Sequence, residues 1–241
     1  MISIIIPTLS EEKYLEKTLQ ILKNGIGTID HEIIISDGGS TDTTLAIAKK
    51  YTNKIVIYNE VKRQTIAQAR NLGASRAIGD YLVFMDADVM ILESEHFFTR
   101  ALTIFNQRTK LVGLCVSIGV EPEKATRVDK FFSGFMDCFS YSMNNILHQG
   151  SASGEFQMIR TEAFRNLGGF REDLVATEDM ELFWRLSRIG QTRMEWSLRI
   201  FHSGRRAHAI GWPHLLWLWF LNTMSTVFLH RSHSRVWTVI R

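Results

Sequence analysis

Cysteine and proline are scarce in this chain of 241 residues, which contains two cysteines and three prolines. Cys115 and Cys138 lie in apolar surroundings and lack the spacing of metal ligands. We therefore expect two reduced core thiols, as in a cytoplasmic protein, and a disulfide between them is the less favoured alternative. The start, Met1 to Pro7, lacks the basic residues and the long apolar run of a signal peptide, so we predict a first strand there.

Acidic residues are absent from the C-terminal part of the chain. From Trp196 onward there are six arginines and no Asp, Glu or Lys, so this part carries +6. Since the whole chain carries +3, the remainder carries −3. Four of the six tryptophans also lie beyond Trp196. A basic, Trp-rich end on a near-neutral domain indicates contact with an anionic surface, either a membrane or a nucleic acid.

The first half of the chain alternates short apolar runs with helical patterns. This alternation predicts an α/β fold with a mostly parallel sheet that helices cover on both faces. The length allows one sizeable domain or a core domain with an appendage, and 45% hydrophobic with 22% charged residues is typical of globular proteins. The predicted strands are Ile2–Pro7, Glu32–Ser36, Lys54–Tyr58 and Tyr81–Met85, and the predicted helices are Glu11–Asn24, Thr41–Tyr51 and Thr65–Ile78.

Polar residues directly follow three of these strands. In such sheets ligands bind at the carboxyl ends of the strands, so we expect Pro7-Thr8, Asp37-Gly38-Gly39 and Asp86-Ala87-Asp88 to converge on one crevice. Two carboxylates one residue apart form a hard, oxygen-only site, which suits Mg²⁺ or Mn²⁺ that bridges protein to phosphate. An isolated Asp-x-Asp is more often a solvated turn, so the assignment depends on the neighbouring motifs.

Two further motifs of the first half allow two interpretations each. Asp37 can accept hydrogen bonds from a base or a ribose, or it can belong to a plain capped turn, with Ser40 or Thr41 capping the next helix. Arg70 can contact a nucleotide or Asp86, or it can have a capping or surface role.

In the second half, Thr177-Glu178-Asp179 opens a predicted helix over Glu178–Arg188, after a predicted strand over Glu155–Ile159. Acidic residues are common at a helix start because they complement its dipole, but an Asp held there can also accept a proton from an acceptor hydroxyl. The four-residue apolar repeat of Phe131–Leu147 predicts an amphipathic helix, with a core position favoured over a membrane contact or a wall of an acceptor channel.

The segment Trp212–Leu229 is almost uncharged for 18 residues, slightly short of the roughly 20 that span a bilayer. Several tryptophans, Arg205-Arg206 before the segment and His230-Arg231 after it are typical of an interfacial anchor. We therefore favour attachment to a membrane surface over a buried helix, and both of these over a span.

Together these motifs resemble those of the family 2 glycosyltransferases of the GT-A fold, from roughly Ile2 to Arg206. Two positions depart from the family pattern: Ser10 stands where Asn is usual, and the Asp37 turn has an extra glycine. The matching landmarks, in order, are Pro7-Thr8-Leu9-Ser10-Glu11-Glu12, Asp37-Gly38-Gly39-Ser40-Thr41-Asp42, Ala69-Arg70-Asn71-Leu72-Gly73, Gly79-Asp80 to Asp86-Ala87-Asp88, Gly168-Gly169-Phe170 and Thr177-Glu178-Asp179.

The resemblance implies a role for each matching residue. Asp88 would bind the Mn²⁺ or Mg²⁺ that bridges the donor diphosphate, and Asp179 would be the general base of a single inverting displacement. Donor contacts with a UDP- or GDP-sugar would come from the strand ends and from basic residues nearby. These nucleotide-sugar-binding residues are Pro7, Thr8, Glu11, Asp37, Gly38, Arg70, Asp86, Ala87, Arg205 and Arg206.

Basic residues just past the base helix have two interpretations. Arg205 and Arg206 can neutralise the diphosphate while His202 completes the metal shell, or the three can form a basic patch that meets lipid headgroups. The Gln-x-x-Arg-Trp motif of processive members is absent from this region of the sequence, so we expect transfer of a single sugar.

We therefore expect a GT-A domain over residues 1–211, with a nucleotide-sugar half (1–110) and an acceptor half (111–211), and a membrane-associating segment over 212–241. The protein would lie on the cytoplasmic face of the cell membrane and transfer one hexose, of the mannose or glucose class, to a lipid-linked acceptor.

Three alternatives are disfavoured. A nucleotidyltransferase would carry a basic glycine-rich loop where Ser10-Glu11-Glu12 is acidic. A non-catalytic binding module would be expected to lack Asp179. Nucleic-acid binding would need aromatics among basic residues, whereas those of the tail lie in a nearly uncharged run.

Overall fold

A buried first strand lies near the centre of the fold. The computed structural model describes residues 1–234, 236 and 240. Strand β1 (Ile2–Thr8) is buried along its whole length, as its apolar sequence requires of a strand covered on both faces. The other strands are β2 (His31–Asp37), β3 (Ile55–Ile57), β4 (Tyr81–Met85), β5 (Leu111–Val120), β6 (Phe156–Arg160) and β7 (Gln191–His202).

The seven strands form one sheet in the order β3-β2-β1-β4-β6-β5-β7. Strand β6 runs antiparallel to both of its neighbours, and the other pairs are parallel. The predicted mostly parallel sheet is thereby confirmed. Because β2, β1 and β4 are adjacent and parallel, Asp37, Thr8 and Met85 end at the same edge of the sheet.

Helices cover both faces of this sheet and bury two apolar clusters. One cluster contains Ile4, Leu19 and Phe98, and the other contains Ile5, Phe84 and Phe183. Alternate residues of β1 thus enter opposite clusters, as the two-residue period of a strand requires. The helices are α1 (Leu15–Gly25), α2 (Thr44–Lys49), α3 (Ile66–Ala74), α4 (Ser94–Gln107), α5 (Arg127–Tyr141), α6 (Thr161–Asn166), α7 (Glu178–Ile189), α8 (Arg205–Ile210) and α9 (Trp212–Leu229).

Hydrogen bonds from the backbone to side chains mark the starts of α2 and α3, and only the start of α2 differs clearly from the predicted one. Helix α2 begins at Thr44, and neither Ser40 nor Thr41 caps it, so that part of the prediction is wrong. Instead, Glu12 accepts a hydrogen bond from the Thr43 amide (3.1 Å) and Asp42 accepts one from the Thr44 amide (3.0 Å). Helix α3 begins with a capping box between Thr65 and Gln68, which places its start close to the predicted one.

Helix α5 has its polar face buried and its apolar face exposed. Phe131 is 68% exposed and Phe135 is 56% exposed, so the prediction of a core-packed helix is wrong. The helix buries Asp137 instead, which accepts hydrogen bonds from the Ser117 hydroxyl (2.6 Å) and the Ile118 amide (3.2 Å) of β5. The chain then continues as a π-helical turn over Ser142–Ile146. The four-residue repeat identified an apolar face, but it did not show which face meets the sheet.

The two cysteines lie in different environments. Cys115 on β5 is buried and its burial raises the pKa of its thiol, whereas Cys138 on α5 is exposed. Both are free. The expectation of reduced thiols is met, but that of a core position is wrong for Cys138.

Helix α9 has the bounds that were predicted from its apolar run. In the part of the chain that the structure describes, no helix is both long and apolar enough to cross a membrane. Trp212, Leu215, Asn222 and Thr226 of α9 are buried, while Trp217, Phe220, Phe228 and Leu229 are exposed.

Candidate active site

The carboxylates that follow β4 lie at the edge of the sheet where β1 and β2 also end. Asp86 and Asp88 lie in a turn in which the Val89 amide donates to the Asp86 carbonyl (3.2 Å). Asp88 is 8% exposed, accepts a hydrogen bond from the Ser203 hydroxyl, and lies 3.5 Å from Nε of Arg205. Burial raises the pKa of Asp86 to about 7, with Arg70 opposing the shift and the charges of Glu155 and Asp88 adding to it.

Arg70 joins this turn to the start of α7. Its guanidinium is almost fully buried, donates to Glu178 Oε1 (2.8 Å) and to Asp86 Oδ1 (3.2 Å), and also donates to the Gly154 carbonyl (2.9 Å). A Cβ at Gly154 would lie 2.6 Å from Arg70 Nη2, so the close approach requires glycine there. Of the alternatives for Arg70, the contact with Asp86 is present, the surface position is wrong, and contact with a nucleotide stays a prediction.

Asp179 lies in the first turn of α7, directly after the partner of Arg70. Its Oδ1 accepts a hydrogen bond from the Met180 amide (2.7 Å). Burial raises the pKa of Asp179, the neighbouring charge of Glu178 raises it further, and Arg70 opposes both. A carboxylate whose proton affinity is raised toward neutral pH is suited to accept a proton from a hydroxyl. The structure therefore joins Asp86 to the predicted base region through one buried arginine.

Asp37 is fully buried and serves its own turn. Its carboxylate accepts hydrogen bonds from the Thr8 hydroxyl (2.8 Å), the Gly39 amide (3.0 Å), and the amide (2.8 Å) and hydroxyl of Ser40. Gly39 has φ of 90°, which explains why a second glycine suits this turn. These contacts close the turn itself, as the turn interpretation expected, but neither Ser40 nor Thr41 caps α2. A role for Asp37 toward a base or ribose stays a prediction.

Glu11 and Arg205 form a two-pronged ion pair beside Asp88. Arg205 donates to the two carboxylate oxygens of Glu11 at 2.7 and 2.8 Å. Burial raises the pKa of Glu11, against the effect of Arg205. Glu11 and Arg205 were both predicted to bind the donor, and here they bind each other at the β1 end of the crevice. Donor binding would therefore require this pair to rearrange or to bind the donor as a unit.

The remaining predicted residues lie around the same edge of the sheet. Pro7 is paired with Ser36 across β1 and β2, and the Gly38 amide donates to the Thr8 carbonyl (2.9 Å). Ala87 is buried, and its carbonyl accepts from Thr18 (2.8 Å). His202 ends β7, one residue before Ser203, and Arg206 follows Arg205 on α8. Their roles toward donor and metal stay predictions.

Ser10 illustrates the departure from the family pattern. Its backbone is left-handed, with φ of 57°, a conformation that Asn adopts more readily than Ser. The Ser40 hydroxyl accepts a hydrogen bond from the Ser10 amide (2.8 Å) and so ties this turn to the Asp37 turn. The structure thus gives a backbone reason for the usual Asn.

The side chains that could ligate a metal in the crevice suit a divalent ion such as Mg²⁺ or Mn²⁺. Asp88 supplies carboxylate oxygens, Asp86 lies two residues away, and His202 is next to the Ser203 that binds Asp88. Among the described residues, no group of three or more His, Cys, Asp or Glu side chains is arranged around a metal position. A metal held by these side chains would therefore need further oxygens from the phosphate of a bound molecule, as is usual for ions held by one or two carboxylates and a phosphate.

Three residues of the site escaped the sequence analysis. Ser203 binds Asp88, Gly154 makes room for Arg70, and the charge of Glu155 raises the pKa of both Asp86 and Asp179. Glu155 begins the predicted strand, Gly154 immediately precedes it, and Ser203 follows His202, so adjacency was the only available signal. The sequence does not show which of these loops lies against which carboxylate.

Comparison with known proteins identifies the family. The model of the family described as glycosyl transferase family 2 matches residues 3–168, and the chain belongs to this family. It is 26% identical over 203 residues to the succinoglycan biosynthesis protein ExoA of Rhizobium meliloti, covering 78% of this chain and 58% of that protein. The chain thus spans less than two thirds of this relative. Over 92 residues it is 41% identical to a dolichyl N-acetyl-α-D-glucosaminyl phosphate 3-β-D-2,3-diacetamido-2,3-dideoxy-β-D-glucuronosyltransferase of Methanococcus voltae, covering 36% of this chain and 28% of that protein.

Solved structures confirm the GT-A-like fold. The mannosyltransferase PcManGT of Pyrobaculum calidifontis, determined with GDP-Man and Mn²⁺, superimposes with a TM-score of 0.75 at 16% identity and covers 95% of this chain and 64% of its own. Glucosyl-3-phosphoglycerate synthase of Mycobacterium tuberculosis, determined with Mn²⁺ and UDP, gives 0.63 at 18% identity and covers 95% and 79%.

Proposed function

We propose that this chain is an inverting glycosyltransferase that moves one hexose from a UDP- or GDP-sugar to a lipid-linked acceptor at the cytoplasmic face of a membrane. The observation that supports it best is the buried Arg70, which holds Asp86 at the strand end and Glu178 beside Asp179. Family membership supports the class of reaction. The complexes of PcManGT with GDP-Man and of the mycobacterial synthase with UDP support the class of donor.

In the proposed reaction the acceptor oxygen attacks the anomeric carbon from the face opposite the diphosphate. The bond from that carbon to the diphosphate oxygen breaks, the nucleoside diphosphate leaves with the electron pair, and the hydroxyl proton passes to Asp179. The raised pKa of Asp179 favours this transfer near neutral pH. Arg70 keeps α7, which carries Asp179, at a fixed separation from the turn that contains Asp86 and Asp88. An in-line displacement requires such a fixed separation.

Asp88, with Asp86 and His202 nearby, would hold Mn²⁺ or Mg²⁺ against the diphosphate. The ion would offset the charge that develops on the leaving diphosphate. Arg205 and Arg206 follow the β7 strand end and carry positive charge to the same part of the crevice. The ion pair of Arg205 with Glu11 and its 3.5 Å approach to Asp88 make this arginine responsive to any ligand that binds there.

The membrane part of the proposal depends on exposed apolar faces of α5 and α9. These helices contact each other through stacked rings of Phe132 and Trp212, whose centroids are 5.2 Å apart. Asp129 of α5 also accepts hydrogen bonds from Trp212 Nε1 (2.6 Å) and His208 Nε2 (2.9 Å). We propose that the membrane face consists of the exposed apolar residues of both helices: Val128, Phe131, Phe135 and Phe139 of α5 and Trp217, Phe220, Phe228 and Leu229 of α9.

Exposed cations lie on or next to the same two helices. Arg127 and Lys130 lie on α5, and Arg231 follows the end of α9. Aromatic side chains with flanking cations suit the interfacial region of an anionic bilayer. A lipid-linked acceptor bound to the same bilayer would then reach the crevice beside α8, which connects Arg205 to α9.

Two substitutions test the chemistry separately. We expect D88N to weaken Mn²⁺-dependent binding of the donor, because it removes a metal-binding oxygen. We expect D179N to keep donor binding and to lose at least about 100-fold in turnover, the scale of a general base. Release of UDP or GDP from UDP-glucose and GDP-mannose measures turnover. Normal turnover in either variant would contradict the role given to that residue.

Vesicle flotation tests the membrane contact. The triple variant F131S/F135S/F139S and the double variant W217S/F220S should each float less with phosphatidylglycerol vesicles than the unchanged protein. The matched control is I78S/I189S, which removes exposed apolar residues outside this face (70% and 51% exposed). A fluorophore on Cys138, the exposed thiol of α5, should shift to shorter wavelength when vesicles are added. Equal flotation of all variants would refute the membrane contact.

A further inference from the structure

The end of α9 is hydrogen-bonded to the loop that precedes the predicted base. Thr226, 3% exposed, lies with its hydroxyl 2.7 Å from the hydroxyl of Thr177, the residue before α7. The Thr177 hydroxyl also donates to the Ala176 carbonyl, which leaves its oxygen able to accept from Thr226. Thr226 therefore reaches the residue that leads directly into Glu178 and Asp179.

The turn after α9 binds the same loop a second time. The Ser232 hydroxyl accepts hydrogen bonds from the amides of Val175 (2.9 Å) and Ala176 (3.1 Å), and it donates to the Ala176 carbonyl (2.9 Å). One hydroxyl thus satisfies three backbone groups of a loop that has no regular secondary structure. Arg171, at the start of this loop, also donates to the His230 carbonyl (2.8 Å).

The turn is itself held in place by α9. Asn222 is fully buried, donates through Nδ2 to the Ser234 hydroxyl (2.9 Å), and accepts through Oδ1 from the Ser234 amide (2.9 Å). The Ser225 hydroxyl donates to the Arg231 carbonyl (2.8 Å). Residues 230–234 therefore fold back along α9 and present Ser232 to the base loop.

Thr177 has a backbone conformation that needs such support. Its φ is 67° and its ψ is 12°, in the left-handed region, which is strained for a β-branched residue. Its carbonyl nevertheless accepts the first hydrogen bond of α7, from the Glu181 amide (3.0 Å). The direction in which Glu178 and Asp179 enter the crevice thus depends on Thr177 staying left-handed.

From these contacts we infer that Thr226 and Ser232 are positioning residues of the active site, and that the C-terminal helix holds the catalytic base in place through the left-handed Thr177. The inference rests on the proposed function in that it takes Asp179 as the base. We call the contacts of Thr226 and Ser232 with residues 175–177 the latch. Helix α9 then has two roles, because its exposed side carries the proposed membrane contact and its buried side, with the turn that follows it, carries the latch.

Turnover with water as the acceptor tests the role in catalysis. The probe is release of UDP or GDP from UDP-glucose or GDP-mannose with Mn²⁺. T226V removes the hydroxyl and keeps the shape of the side chain, and S232A removes the second contact. We expect each to lower kcat by about 10- to 100-fold, the effect of a misplacement on the order of 1 Å, with KM for the donor within about twofold. T226S should restore the kcat.

The matched control is T223V, one turn earlier on α9, where the side chain makes none of these contacts with the base loop. It should turn over like the unchanged protein. A kcat for T226V and S232A equal to that of T223V would overturn the inference, as would a loss in T226V that T226S does not restore.

A second measurement keeps the inference independent of the donor. The pKa of Asp179, measured from its ¹³C carboxyl resonance, should move in T226V and stay unchanged in T223V. Amide exchange at Val175 and Ala176 should become faster in S232A. If the protein releases no nucleotide but both changes appear, the proposed function fails and the latch stands. If neither appears, the latch is wrong whatever the activity.

Discussion

Replacing Arg70 by Met tests the electrostatic centre of the site. Met keeps much of the arginine volume but removes the charge from a side chain that is 1% exposed. The change leaves Glu178 buried without its partner and removes the donor to the Gly154 carbonyl. Asp86 also loses an ion pair, but its side chain is 35% exposed, so water can replace part of that contact. Most of the penalty therefore falls on Glu178, which is 6% exposed.

Breaking a buried ion pair by removing one partner destabilises a protein by about 3–5 kcal/mol. We expect R70M to lower the free energy of unfolding by about 3 kcal/mol at pH 8, near the lower end of that range, because the carboxyl groups can escape by taking up protons. R70M/E178Q removes the unpaired charge as well and should recover about half of the loss. The control R76M changes an exposed arginine of the loop after α3 and should cost less than about 0.5 kcal/mol.

The pH dependence gives this prediction its sign. Burial raises the pKa of Glu178, and removing Arg70 takes away the charge that opposes the rise. A carboxyl group with a raised pKa in the folded state binds more protons there than in the unfolded chain. The free energy of unfolding therefore falls as the pH rises above the ordinary pKa of that carboxyl group. The difference in the free energy of unfolding between R70M and the unchanged protein, measured by urea denaturation, should thus be larger at pH 8 than at pH 5. A difference below about 1 kcal/mol at pH 8, or one that does not change with pH, would contradict a stabilising buried ion pair between Arg70 and Glu178.

Three other perturbations have definite expected outcomes. D129N should lower the free energy of unfolding by about 1–3 kcal/mol at pH 7 in urea denaturation, because Asp129 accepts from Trp212 and His208. Although burial opposes it, these hydrogen bonds lower the pKa of Asp129, so its contribution is lost in acid and the gap should narrow there. G73A should cost about 1–3 kcal/mol, since a Cβ would lie 2.5 Å from Cγ2 of Ile5, whereas G134A, with nothing within 4 Å, should stabilise by up to about 1 kcal/mol; equal thermal shifts would contradict this packing argument. Nucleotide release should rise with pH through the raised pKa of Asp179, because the base must be deprotonated, and the residual rate of D179N should lack that rise.

The sequence predicted the sheet and the crevice well because both follow from simple periodicities. Strand β4 has its predicted bounds, and β1 and β2 end within one residue of theirs, at Thr8 and Asp37. Near-continuous apolar runs are unambiguous for strands covered on both faces. The order β2-β1-β4 then places the three polar strand ends together. Resemblance to a known family supplied the roles, which periodicity does not contain.

What escaped prediction depends on long-range contacts. The two strands of the second half that were missed, β5 and β7, pair with each other across about 80 residues of sequence. The apolar face of α5 points outward because its polar face is needed to bind β5 through Asp137. Thr226 approaches Thr177 from 49 residues away. A local pattern identifies the face of a helix, but the partner of that face is determined by the fold.

Metal-dependent binding of a nucleotide sugar is best tested by calorimetric titration of the purified protein with GDP-mannose and with UDP-glucose, in the presence and absence of Mn²⁺. The proposed function predicts that one of the two nucleotide sugars binds, that binding strengthens with Mn²⁺, and that D88N loses this strengthening. No binding of either sugar to the folded protein in the presence of lipid, or equal binding without Mn²⁺ and in D88N, would contradict it.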